Sequence, residues 1–329
     1  MAAAGASILW PMERYTVMGL TEILAKIPAH ARLLGEMRAH FRSGRYDLVV
    51  LVDYPGFHLR VAEAARAAGV PVLYYIAPQL WAWRPERAAR FRKAVDRFAV
   101  IFPFEEPLFR SLGLAAEFVG HPLVDRPPPP SRIEARRALG LPEGGSVLGL
   151  FPGSRNQELA RHWTAFREAG RRLLDGGSAA HAVVAQVPGG RYEDPGPVTL
   201  AGAADTETIL AAADAVLAKS GTTTLEAALA DTPMAVAYRV HRLTGWIARR
   251  VMRVPWIALP NLIANRSVVE ELVQGDVNPE RLAAAVAPLL DPTNPVTLAQ
   301  REGLAEVRRL LGGRGAAERV GALGAGMLR

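Results

Sequence analysis

The 329-residue sequence has no cysteine. Disulfides, thiolate metal sites, iron–sulfur clusters and cysteine nucleophiles are excluded, and a reducing cytoplasm fits. Lysine is scarce too: of 39 basic residues only Lys26, Lys93 and Lys219 are lysines, so the formal charge of +7 rests on arginine. Guanidinium groups bind phosphate bidentately, which favours a phosphate, nucleotide or lipid-headgroup partner, although an arginine-biased proteome explains the same balance. No apolar run reaches the roughly 18 residues of a spanning helix, and the opening residues lack the basic start of a secretory signal. H-E-x-x-H, G-x-S-x-G and P-loop motifs are missing, and His30, His40, His58, His121, His162, His181 and His241 are scattered, so no metal site and no serine hydrolase is expected. No nucleic-acid-binding module is recognisable. What is present is a globular composition: half the residues are hydrophobic, 22% are charged, and 30 Gly and 25 Pro are dispersed. At about 150 residues per domain, the length predicts two domains, each with its own core.

Short apolar runs alternating with amphipathic stretches predict parallel sheets covered by helices. Strands are expected at Asp47–Asp53, Val72–Ile76, Phe98–Ile101 and Glu117–Val119, with helices at Val17–Leu34, Leu59–Ala68, Arg84–Val95 and Glu105–Leu112. Four consecutive prolines make Asp125–Ser131 an extended linker. The pattern then restarts with strands at Val147–Phe151, Ala182–Gln186, near Val198, Ala215–Ala218 and Met234–Tyr238, and helices at Asn156–Leu174 and Thr224–Ala230. Several further helices close the chain. Two α/β units joined by a linker usually bind ligand in the cleft between them.

Three constellations could carry chemistry. Ser220-Gly221-Thr222-Thr223-Thr224-Leu225-Glu226 follows a strand and opens a helix, so its backbone N–H groups and hydroxyls suit a phosphate. Thr223-x-x-Glu226 equally fits a capping box, which competes for the Glu226 carboxylate. In Phe151-Pro-Gly-Ser-Arg155, Gly153 permits a tight turn and Ser154 can cap the next helix, while Arg155 sits at a helix start that disfavours cations. An anionic ligand explains that arginine; a surface pair with Glu158 explains it too. Asp53, ending an apolar strand before Tyr54-Pro55-Gly56, is either a general base or an Asx-turn residue. Two basic-aromatic stretches, around Trp81, Trp83 and Arg84 and around Trp246, Arg249, Arg250 and Arg253, suit an anionic lipid surface. Met18, Leu20, Ile23, Leu24 and Ile27 on the Val17–Leu34 helix could meet a bilayer or face the core.

Taken together and in order, Val17–Leu24, Val52–Phe57, Tyr75–Arg84, Phe102–Glu105, Phe118–Leu123, Phe151–Arg155, Ser220–Glu226 and Leu259–Ala264 resemble the lipid-A-disaccharide synthases, cytoplasmic glycosyltransferases of the GT-B fold. That resemblance implies two Rossmann-like parallel-sheet domains facing a cleft: residues 1–126 toward acceptor and membrane, 127–314 for the UDP-sugar, and a helix at 315–329 returning to the first. It also implies an inverting transfer from UDP-2,3-diacylglucosamine to 2,3-diacylglucosamine 1-phosphate, giving the β-1′,6 disaccharide and UDP without metal or cofactor. In it, Asp53 is the base, Arg155 and the helix end at Ser220, Gly221, Thr222, Thr223 and Thr224 would offset the charge on departing UDP, and Ser154 is a further substrate-binding residue. Glu226 and Asn261 would hold the nucleoside or ribose, and Met18, Leu20, Ile23, Leu24, Ile27, Trp81, Trp83 and Arg84 would meet membrane or acceptor. A peripheral place on the inner face of the cytoplasmic membrane, and room for a homodimer, follow from it. Two departures accompany the likeness. The family's opening strand and Gly-Glu-x-Ser-Gly-Asp loop have no counterpart in this sequence, which implies an exposed sheet edge, and Gly56 stands where the family usually has a second acidic residue. Alternatives are a related GT-B enzyme on another UDP-sugar or lipid, a UDP-sugar 2-epimerase, and a nucleotide- or lipid-binding protein without turnover.

Overall fold

A computed structural model describes residues 2–11, 20–82, 85–187, 189–201, 206–240 and 254–328, with side chains from residue 26 onward in the first helix. The first unit begins with helix α1 (Leu20–Arg42) and continues through β1 (Val49–Val52), α2 (Pro55–Ala67), β2 (Val72–Tyr75), α3 (Ala88–Ala94), β3 (Arg97–Val100), α4 (Glu105–Ser111) and β4 (Ala116–Phe118). Its four strands are parallel in the order β1-β2-β3-β4. β1 is therefore an edge strand: Val49 and Leu51 face the core, while Val50 and Val52 are 48% and 46% exposed.

The second unit holds α5 (Arg132–Ala138), β5 (Val147–Phe151), α6 (Asn156–Asp175), β6 (His181–Ala185), β7 (Thr199–Ala201), α7 (Thr206–Ala212), β8 (Ala215–Lys219), α8 (Thr222–Leu229), β9 (Met234–Tyr238), α9 (Leu259–Ala264), β10 (Glu270–Val273), α10 (Pro279–Val286) and α11 (Pro295–Leu310). Its parallel sheet runs β10-β9-β8-β5-β6-β7. Central strands with helices on both faces need apolar side chains in both directions, and every residue of β5 is buried. Its helices form two layers, one packing through Phe166, Leu282 and Val286 and the other through Leu225, Leu304 and Val307.

Helix α12 (Ala316–Ala325) lies on the first unit. Val320, Leu323 and Met327 pack against Leu73, Ala99 and Val119, and the Arg319 Nε donates to the Val119 carbonyl at 2.7 Å. Asp125, at the start of the proline run, takes the N–H groups of Gly315, Ala316 and Ala317 at 2.7, 3.3 and 3.1 Å and so caps that helix. The prolines themselves carry no regular structure. Three elements escape the sequence pattern, one of them helix α7 between β7 and β8. The Ser131–Glu134 capping box starts α5 directly after the prolines. β10 reads Glu-Glu-Leu-Val, a composition that hides a strand and is tolerated because it lies at the sheet edge. Boundaries also shift: α1 runs on to Arg42, α2 starts at Pro55, the turn at Pro85–Arg87 is a 3₁₀ segment ahead of α3, and α8 starts at Thr222.

Candidate active site

The carboxyl ends of the two sheets bound a cleft of about 600 Å³. Asp53, Ile76, Gln79, Trp81, Phe102, Glu105 and His121 line it from the first unit; Lys219, Ser220, Gly221, Thr222, Tyr238 and Trp256 line it from the second. At the end of β1 the backbone turns sharply, with Asp53 and Tyr54 both left-handed at φ 52° and 49°. Non-glycine residues adopt this conformation at a cost of about 1–2 kcal/mol each, so the surroundings must impose it. They do so through the Asp53 carbonyl, which accepts from the buried Tyr74 hydroxyl at 2.6 Å and from His58 Nδ1 at 2.7 Å. Tyr54 is tied in turn to His30 Nε2 at 2.9 Å. Among the described residues the exposed Asp53 carboxylate makes no hydrogen bond, so the expected alternative of an Asx-turn is not what forms this corner.

The facing wall is built on β8 and β5. Ser220 lines the cleft, but its hydroxyl donates to the Ile257 carbonyl at 2.7 Å. Gly221 is the N-cap of α8, and the Thr222 and Thr223 hydroxyls make no hydrogen bond among the described residues. Behind them lies a second cavity of about 220 Å³, sharing Lys219, Gly221 and Thr222 with the cleft and lined also by Gly153, Ser154, Glu158, Gln186 and Thr206. Gly153 is obligatory here: its φ is +140°, and a Cβ would stand 2.5 Å from that of Glu158. The close approach lets Glu158 accept from the Ser154 N–H and from the Lys219 ammonium, both at 3.0 Å. Burial pushes the Glu158 carboxyl up, but the Lys219 hydrogen bond and charge, with Ser154 and Arg155, bring it below the usual range. Arg155 lies 3.6 Å from Glu158 with a side chain 63% exposed.

Several expectations need correction. Ser154 does not cap α6; Arg155 occupies the N-cap without a side-chain bond, and the Ser154 N–H is the group that is satisfied. The Thr223–Glu226 capping box does not form, because α8 starts at Thr222 with Gly221 as its N-cap and Thr223 lies inside the helix; Glu226 instead accepts from Arg126 of the proline segment at 2.7 Å. Asn261 is wholly buried: its amide donates to the Val269 carbonyl and Glu271 and accepts from the Val268 and Val269 N–H groups, so it pins α9 to β10 rather than facing the cleft. Trp81 is half-buried in the cleft wall, not on an outer surface. Ile27 is 50% exposed on α1. Met18, Trp83, Arg84, Trp246, Arg249, Arg250 and Arg253 lie outside the described residues, and Leu20, Ile23 and Leu24 are described in backbone only.

Lys219, Glu105 and His121 are cleft residues that the sequence reading did not assign. Lys219 had a signal, being one of three lysines and placed directly before the Ser220 turn. Glu105 is 1% exposed and takes the Trp81 indole N–H and the Ile101 and Phe102 N–H groups; burial pushes it up to about 7 against those bonds. Burial, with the charge of Arg126, pushes His121 down to about 4. Among the described residues no cluster of three or more His, Asp or Glu is placed to hold a metal, and no helix is long and apolar enough to cross a membrane.

Comparison with known proteins completes the picture. A putative UDP-N-acetylglucosamine 2-epimerase from Listeria monocytogenes superposes with a TM-score of 0.58 at 14% identity, covering 93% of this chain and 79% of that one. Spinosyn forosaminyltransferase SpnP gives 0.58 at 15%, covering 90% and 80%. At such identities the likeness carries the fold alone, the α/β GT-B arrangement of two parallel-sheet units about a cleft. Sequence likeness goes further. The lipid-A-disaccharide synthase of Myxococcus xanthus is 38% identical over 97% of this chain and 85% of its own length, and that of Pseudomonas aeruginosa 41% over 88% and 79%. The sequence profile described as Lipid-A-disaccharide synthetase matches residues 1–311, which takes in both walls of the cleft, and by that match the chain belongs to the lipid-A-disaccharide synthase family.

Proposed function

We propose that this glycosyltransferase of lipid A synthesis joins UDP-2,3-diacylglucosamine to 2,3-diacylglucosamine 1-phosphate in one inverting displacement. The observation that carries the reading is the placement across one cleft of Asp53, a carboxylate without a hydrogen bond among the described residues, and the Lys219–Thr222 turn. Asp53 takes the proton of the acceptor 6-hydroxyl as that oxygen bonds to the donor anomeric carbon. The bond from that carbon to the UDP oxygen breaks, and its electron pair leaves on the β-phosphate. Lys219, Arg155 and the N-terminal N–H groups of α8 offset the departing charge, an electrostatic contribution matched to the transition state. Thr222 and Thr223 supply hydroxyl donors beside it. Glu226 is assigned to the ribose; it lines a separate pocket beside Arg126, its partner at 2.7 Å.

The acceptor and donor are acylated, so both must be drawn from a bilayer. Helix α1, with Ile27 exposed and Leu20, Ile23 and Leu24 in its first turns, is the element assigned to the inner face of the cytoplasmic membrane, and Met18 is assigned with it. Trp83 and Arg84 are assigned to the same surface.

The decisive assay measures UDP release from UDP-2,3-diacylglucosamine with and without the acceptor. Release is expected only with acceptor present, and Asp53→Asn lowers kcat by on the order of 10²–10⁴ with both KM values nearly unchanged. UDP release that ignores the acceptor, or an epimerised UDP-sugar as product, rejects the reading. Sedimentation with anionic phospholipid vesicles tests the membrane assignment separately.

A further inference from the structure

A buried carboxylate is costly unless donors satisfy it, and Glu105 lines the cleft with three donors converging on it. One oxygen accepts the Trp81 indole N–H at 3.0 Å; the other accepts the Phe102 N–H at 3.0 Å and the Ile101 N–H at 3.2 Å. Serving the two backbone groups would need only one oxygen. The second is aimed at Trp81, whose ring stands edge-on to Phe104 and Phe102 at 5.3 and 6.5 Å between centroids. Phe102 and Phe104 are themselves stacked, 5.5 Å apart and 4° from parallel, so they form a rigid backing for the indole. Trp81 and Asp53 share the first-unit wall of the cleft, and Trp81 is only half-buried there.

From this arrangement we infer that Trp81 is the platform on which the acceptor's sugar ring rests, and that Glu105 is the positioning residue that fixes the angle of that platform. A flat aromatic face suits the axial C–H face of a glucosamine ring, while the indole N–H, held by Glu105, cannot turn to compete for the sugar's hydroxyls. The inference rests on the acceptor occupying the Asp53 side of the cleft.

Steady-state kinetics with 2,3-diacylglucosamine 1-phosphate as the varied substrate tests it, using Trp81→Phe, Trp81→Ala, Glu105→Gln and the double variant Trp81→Phe/Glu105→Gln. Glutamine has one accepting oxygen. If that oxygen serves Ile101 and Phe102, its NH₂ meets the indole N–H donor to donor and the ring must turn. Trp81→Ala and Glu105→Gln are each expected to raise the acceptor KM by about tenfold while the donor KM stays within about twofold. In Trp81→Phe the N–H is gone, so adding Glu105→Gln should raise the acceptor KM no further. A purely structural Glu105 gives a different pattern: Glu105→Gln acts equally on both KM values, or the double variant equals the product of the singles, and either result overturns the inference. An unchanged acceptor KM in Trp81→Ala overturns it as well. Failure of the underlying reading is distinct, because the unsubstituted protein would then release UDP without acceptor or not at all.

Discussion

Glu105 and His121 make opposite and nearly equal demands on stability as pH changes, so removing either one exposes the other. Glu105 moves from 4.5 unfolded to about 7 folded, which means the folded state holds its proton more tightly and stability falls as pH rises between those values. His121 moves from 6.5 to about 4, so the unfolded state binds the extra proton and stability rises over that range. At about 1.4 kcal/mol per pH unit each swing amounts to about 3 kcal/mol, and in the intact protein the two offset one another across most of the interval. The perturbations are Glu105→Gln and His121→Asn; an asparagine oxygen can still accept the Leu123 N–H that His121 Nδ1 takes at 3.2 Å. Urea unfolding of all three proteins is followed by circular dichroism at several pH values between 4 and 7, the span of the two transitions. The stability of Glu105→Gln minus that of the parent should climb by about 3 kcal/mol from the acidic to the neutral end. The corresponding difference for His121→Asn should fall by about as much. Any donor clash in Glu105→Gln adds a constant and leaves the slope untouched. Two pH-independent differences, or two of the same sign, would refute the assignment of these shifts to burial in the cleft wall.

Tyr74→Phe removes the hydroxyl that holds the left-handed corner of Asp53; it should cost about 1 kcal/mol of stability yet lower kcat several-fold, read by parallel denaturation and turnover. Gly153→Ala should destabilise the second unit by about 2 kcal/mol or more, since Glu158 must move aside, and calorimetry should show weaker UDP binding as Lys219 loses its partner. Asp125→Ala uncaps α12 at a cost of about 1–2 kcal/mol. Hydrogen exchange should then quicken at Ala316–Ala325 while β5 and β8 keep their protection.

The fold was legible because parallel strands with helices on both faces must be apolar in both directions, and Val147–Phe151, Ala215–Ala218 and Met234–Tyr238 are. β10 was not, because an edge strand carries half that requirement and its Glu271 is drawn aside to the Ile257 and Ala258 N–H groups and to Asn261. The helix expected at Val17–Leu34 runs on because Met37 and Phe41 continue the i, i+3, i+7 spacing from Leu34 and both pack on the first core, while the polar residues between them dilute the apolar signal.

The turns that bound the cleft were legible as motifs, while the partners of their side chains were not. Partnership in this site is long-range: Glu226 meets a residue 100 positions away, and Lys219 and Glu158 are 61 apart. Local rules such as the capping box assume that a carboxylate takes the nearest donor. With Gly221 as the N-cap, Thr223 lies inside α8 and the box has no N-cap to serve, so Glu226 takes the charge and N–H groups of an arginine delivered by the tertiary fold. Asn261 shows the same logic in reverse, since a motif residue can be indispensable by satisfying four buried backbone and side-chain groups without reaching the ligand. The proposal that Asp53 is the base draws on its place at a strained corner of the cleft wall. Its side chain finds no hydrogen-bond partner among the described residues, while Tyr74 and His58 hold its main chain in a conformation with no local benefit, a strain that fits the proposed aiming of a carboxylate into the cleft.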